Sequence, residues 1–95
     1  MGAPERSWGF LSSHAVVLIE VSRNRDVTVR ELAEQAELTE RQAHRVLGDL
    51  VDSGYLVRQR VGRRNHYRIN GAQPMRRRTV SAHPVSELLE VLTPR

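Results

Sequence analysis

Arg41 and Arg45 stand four residues apart in the stretch Glu40–Asp52, so any helix formed there presents both guanidiniums from one side. Each is a rigid fork of donors that suits guanine O6 and N7, or a phosphate. Gln42 adds an amide of the kind that pairs with adenine, and His44 sets an imidazole beside it. A second group follows, in which Arg58, Arg60, Arg63, Arg64 and Arg68 fall within eleven residues, with Asn65 among them. Five guanidiniums so close together make a strong local positive field, as phosphate binding requires. A solvated basic face would have the same composition.

The wider charge pattern points the same way. Net charge is +4, and all 15 basic residues are arginine. Up to Gly54 there are six arginines against nine acids, and beyond it nine against two. Catalysis and metal binding find less support. The chain has no cysteine, which excludes thiolate zinc and iron–sulfur sites. His14, His44, His66 and His83 are scattered, and no two have the i, i+4 spacing of a helical metal site. Glu31, Glu34, Glu37 and Glu40 fit first turns of helices, where the dipole favours negative charge. Neither an enzyme nor a cofactor is expected. The longest apolar run, Ala15–Ile19, is far too short to cross a bilayer, and no export signal opens the chain. A cytoplasmic protein, associated with the nucleoid through DNA, is the expectation.

The elements that position the arginines follow from local signals. Thr28-Val-Arg-Glu31 and Thr39-Glu-Arg-Gln42 both have the form of a capping box, eleven residues apart. A short helix over 29–36 must therefore end, and a second begin by Glu40, after a tight turn. That is a helix-turn-helix. Thr39 lies at the head of the second helix, where it can also meet a phosphate, and capping competes with base reading for Gln42. Ala43, Val46, Leu47, Leu50 and Val51 form that helix's apolar face, with Arg41, Arg45, Gly48 and Asp52 opposite. Gly54 suits its C-terminal cap. Alternation over 55–61 and 65–70, around Gly62-Arg63-Arg64-Asn65, predicts a hairpin with arginines along one face and at the tip.

Upstream, Ser12 or Ser13 caps a first helix running to about Arg23, with Leu11, Ala15, Leu18 and Ile19 in one stripe. Val17 and Val21 fall outside that stripe. With Trp8, Phe10, Leu88, Leu89 and Leu92 they are candidates for a contact between two copies. Val27–Val29 could add an edge strand. Gly71–His83 reads as an extended arm, and Pro84 introduces a last helix over 85–92. The expected architecture is mainly α (α+β), a winged helix-turn-helix. It has a three-helix core, a two- or three-stranded β-wing and a short C-terminal helix. The divisions fall at 1–10, 11–70 and 71–95.

The string Leu32-Ala-Glu-Gln-Ala-Glu-Leu-Thr39, then Arg45-Val-Leu47 and Leu50-Val-Asp-Ser-Gly-Tyr-Leu-Val-Arg58, resembles winged helix-turn-helix regulators of the MarR-like group. Trp8-Gly-Phe-Leu11 with His14, Thr39-Glu-Arg41 and Arg60-Val-Gly-Arg-Arg-Asn-His-Tyr67 are similar to a narrower set of small prokaryotic winged-helix proteins. The resemblance implies a transcriptional regulator that binds double-stranded DNA, often as a homodimer, with the second helix in the major groove. A winged helix serving protein or RNA contacts is the alternative. Glu37 stands where the tight turn usually has glycine. The long C-terminal helices of larger relatives are missing, which counts against an effector ligand.

Overall fold

Three of the four helices start at a hydroxyl that closes their first turn. In the computed structural model, which describes residues 8–93, α1 runs Ser13–Arg23, α2 Val29–Ala36, α3 Glu40–Asp52 and α4 Val85–Leu92. Ser12 Oγ accepts the Ala15 amide ahead of α1. Both expected capping boxes form, Thr28 with Glu31 and Thr39 with Gln42. Helices α2 and α3 also end alike, on a left-handed residue. At α2 the Leu38 amide reaches the Ala33 carbonyl and the Glu37 amide that of Glu34. At α3 the Tyr55 amide reaches Leu50 and the Gly54 amide Val51. This is the Schellman pattern twice over, with Gly54 at φ 86° in one and Glu37 at φ 58° in the other.

Helix α1 is the centre of the core, packing against α2, α3 and α4. Val17 and Val21 are fully buried there, in a cluster with Leu32, Val46, Leu47, Leu56 and Tyr67. The expectation of an intersubunit role for these two valines is therefore corrected: both sides of α1 are covered within one copy. Leu89 is corrected likewise, since α4 buries Val85 and Leu89 in the same core. Ser22 and Thr93 hydroxyls share a hydrogen bond that ties the end of α4 to α1. Leu88 and Leu92 are only half-buried, and of residues 1–10 only Trp8–Phe10 are among those described.

Strands β1 (Leu56–Val61) and β2 (Arg64–Ile69) make a two-stranded antiparallel sheet. Val27–Val29 is not a strand, because Thr28 already caps α2 and Val29 is its first residue. What is left of a third strand is one hydrogen bond, Tyr67 amide to Arg25 carbonyl at 2.9 Å. Nor is 71–83 an extended arm. Its turns fold back on the core: the Tyr55 hydroxyl donates to the Pro74 carbonyl, and Gln73 Nε2 to the Ser53 carbonyl. Pro74 and Pro84 pair as an isolated bridge. The physical reason is the start of α4, whose Val85 and Ser86 amides donate to Gln73 and Gly71 carbonyls and draw the segment in. Among the described residues no helix is long and apolar enough to cross a membrane.

Candidate nucleic-acid interface

Helix α3 separates its two faces cleanly. Ala43, Val46, Leu47 and Leu50 are buried, while Arg41, His44 and Arg45 stand exposed on the far side. Packing thus fixes the helix from behind and leaves both guanidiniums free to meet another molecule. Gly48 lies along the helix from Arg45, and a methyl built on it meets nothing within 4 Å. Packing inside the chain gives no reason for a glycine there.

Gln42 is committed elsewhere. Its Oε1 accepts the Thr39 amide at 2.9 Å, and the Thr39 Oγ accepts the Gln42 amide at 3.0 Å. Bidentate pairing with adenine needs that same carbonyl oxygen, so it requires opening the box. Thr39 keeps its hydroxyl proton, which can still be donated to a phosphate at the helix N-terminus.

The hairpin arranges its arginines differently from expectation. Residues directly opposite in an antiparallel pair share a face. Arg58 pairs with Tyr67 and Arg60 with Asn65, on the face that carries buried Leu56. Arg68 pairs with Val57 and Arg64 with Val61, on the other face. The arginines therefore occupy both faces rather than one. The turn is Gly62-Arg63 alone, with Gly62 at φ 63° and Arg63 outside the positive-φ region, the pattern of a type II′ turn. Asn65, expected in the turn, belongs to β2. Arg63 sits at the tip with Arg60 Nε donating to the Gly62 carbonyl.

Two histidines anchor this surface, and neither link was visible in the sequence. His66 on β2 pairs with Asp26 in the α1–α2 turn at 2.8 Å, and His14 on α1 pairs with Asp49 on α3 at 2.8 Å. The partners are 40 and 35 residues apart, beyond any local spacing rule. The Tyr67–Arg25 hydrogen bond also brings Arg25 beside β2, and Arg30 lies in the first turn of α2; both are exposed and both were overlooked. At the head of α2, the Thr28 amide and then the Thr28 hydroxyl hold the Glu31 carboxyl below the usual glutamate range, with a smaller attraction from Arg64. Arg76 bonds Ser53 Oγ at 3.1 Å, at the opposite end of α3 from Arg41. Among the described residues no three His, Asp or Glu come together as a metal site.

A family model described as the MarR family matches residues 8–64, from Trp8 through the helix-turn-helix to the start of β2. No curated protein matches the chain.

Proposed function

From the premise that this chain belongs to the MarR family of DNA-binding transcriptional regulators, we propose that it reads double-stranded DNA by sequence, with α3 in the major groove. Arg41 and Arg45 are the base readers, with His44 beside them. Arg58, Arg60, Arg63, Arg64 and Arg68 hold the backbone, and the Gly62-Arg63 tip enters a minor groove. Thr39, Asn65 and the added pair Arg25 and Arg30 contribute phosphate contacts. The observation that carries this reading is the division of α3, four residues buried behind and two arginines one turn apart in front. Two copies acting together would present two recognition helices roughly 34 Å apart and select a near-palindromic site.

Selection of bound duplexes from a random pool, repeated over a salt series, tests the proposal. The expected outcome is a near-palindromic motif whose affinity falls about 10³-fold or more between roughly 50 and 200 mM salt. Arg41→Ala and Arg45→Ala should each cost about 1–3 kcal/mol and relax the motif at one position. Binding that is salt-sensitive yet enriches no sequence overturns the reading of bases. Absence of binding at low salt overturns the DNA reading altogether.

A further inference from the structure

The Asp49 carboxylate is turned away from the arginines of its own helix. Within α3 it is the one acid a single turn from Arg45, about 6 Å along the axis and about 40° round it. A helical side chain leans back over the preceding turn, so a carboxylate there lies naturally across the arginine before it. Opposite charges at this spacing pair on exposed helices. Yet among the described residues neither Arg41 nor Arg45 pairs with a carboxylate. Asp49 Oδ2 instead meets His14 Nε2 on α1 at 2.8 Å. A carboxylate only accepts, so the imidazole donates from Nε2. The packing of α1 against α3 brings the two together across 35 residues of chain. The His14 and Asp49 side chains are 46% and 54% exposed, so the bond is not a buried support of the core.

Resting on the reading of Arg45 as a base reader, we infer that His14 is a positioning residue for recognition: it ties the Asp49 carboxylate to α1 and so keeps the Arg45 guanidinium open to DNA. A guanidinium must present its fork unoccupied to take guanine O6 and N7 together. A carboxylate one turn away competes for the same N–H groups, and its attraction grows as the interface sheds water. Arg41 is eight residues from Asp49, about 12 Å along α3, and lies out of its reach. The effect is therefore confined to one of the two base readers. Helix α1 thereby acts on specificity without touching a base.

The test compares duplex selection and titration of the full chain with those of its variants. His14→Ala frees Asp49 and should weaken binding to the parent's selected duplex about threefold or more. Preference should relax at the base pair that Arg45 reads and hold at the one that Arg41 reads. His14→Gln, whose side-chain Nε2 stands where the imidazole Nε2 does, should bind as the parent does. Adding Asp49→Ala to His14→Ala removes the competing charge and should restore both affinity and motif. Both residues are exposed enough for these replacements to leave the fold in place. The rescue separates positioning from support: if the bond merely braced α1 on α3, removing its second half would restore nothing. A loss without rescue, a His14→Ala chain that binds and selects like the parent, or His14→Gln as weak as the alanine variant would each overturn the inference. Capture of the freed carboxylate by Arg77, which lines the same groove as His14 and Asp49, would leave the motif unchanged and is among those failures. Arg45→Ala, run alongside, separates this inference from the reading it rests on. If that variant relaxes the motif and His14→Ala does not, only the role of His14 falls. If Arg45→Ala relaxes nothing, base reading by Arg45 falls and the role of His14 with it.

Discussion

The Thr39 amide donates to Gln42 Oε1 at 2.9 Å, so the residue with the best chemistry for adenine spends its acceptor on closing its own helix. Gln42→Glu keeps an acceptor in the box, and Gln42→Ala removes it. The alanine variant should lose about 0.5–1 kcal/mol of stability and the glutamate variant little. If α3 reads bases through Arg41 and Arg45, the motif selected by Gln42→Ala should match that of the parent chain. Thermal unfolding and duplex selection on the same two variants check both parts.

Glu37 does the work of a glycine at the helix-turn-helix corner, at φ 58° and ψ 46°. A left-handed conformation costs an ordinary residue roughly 1–2 kcal/mol, part of which glycine gives back through the greater freedom of its unfolded chain. Glu37→Gly should therefore stabilise the protein by about 0.5–1 kcal/mol, raising Tm by a few degrees. Glu37→Ala, which keeps the Cβ, should not. Calorimetry on the pair decides whether strain at this corner is real.

The capping box of α2 responds to acid in a fixed direction. Thr28 holds the Glu31 carboxyl below its usual range, so the stabilisation is fully present above the unfolded glutamate value and fades as pH falls through the lowered one. Glu31→Gln keeps the hydrogen-bond acceptor without the titration. The stability difference between parent and variant should shrink on going from about pH 6 to about pH 3, measured by urea unfolding at each pH. A constant difference would remove Glu31 as a source of acid sensitivity.

Local chemistry was legible in the sequence wherever a short spacing encodes it. Thr28 with Glu31, Thr39 with Gln42, and Gly54 after α3 each write a helix boundary within four residues, and all three boundaries match the structure. Which side of a helix is covered is a different kind of information. Val17 and Val21 looked surplus because one apolar stripe seemed enough for α1; the structure covers α1 from several sides, with α4 closing on it from more than sixty residues away. The wing was misread for a related reason. Alternation along β1 and β2 gives the two sides of each strand, but only the register, Arg58 opposite Tyr67 and Arg64 opposite Val61, says which sides coincide. The histidine links to Asp26 and Asp49 depend on the assembled fold and leave no trace in local spacing.

That register makes the wing arginines separable in solution. If they act as phosphate contacts, each removed arginine lowers the slope of log affinity against log salt by about 1. Arg58 and Arg60 share one face, and Arg64 and Arg68 the other. A duplex lying against one face should make one double variant, Arg58→Ala with Arg60→Ala or Arg64→Ala with Arg68→Ala, lose a slope of about 2 and the other much less. Arg63→Ala at the tip should lower the slope whichever face is used. Equal losses from both doubles would mean that the hairpin enters a groove and touches both of its walls.

Gly48 sets stability against binding. A glycine inside a helix costs about 1 kcal/mol relative to alanine, and a methyl at this position meets nothing within 4 Å. Gly48→Ala should therefore raise stability by close to 1 kcal/mol, since no neighbour has to move. If the DNA backbone passes close to α3 at Gly48, the same methyl should weaken duplex binding roughly tenfold while the selected motif stays the same, because the loss falls on phosphate positioning and not on base contacts. Unfolding and titration with the selected duplex measure the two effects separately. A variant that is more stable and binds as well as the parent would show that α3 does not come close to DNA at Gly48, and would confine its contact to the first turns around Arg41 and Arg45.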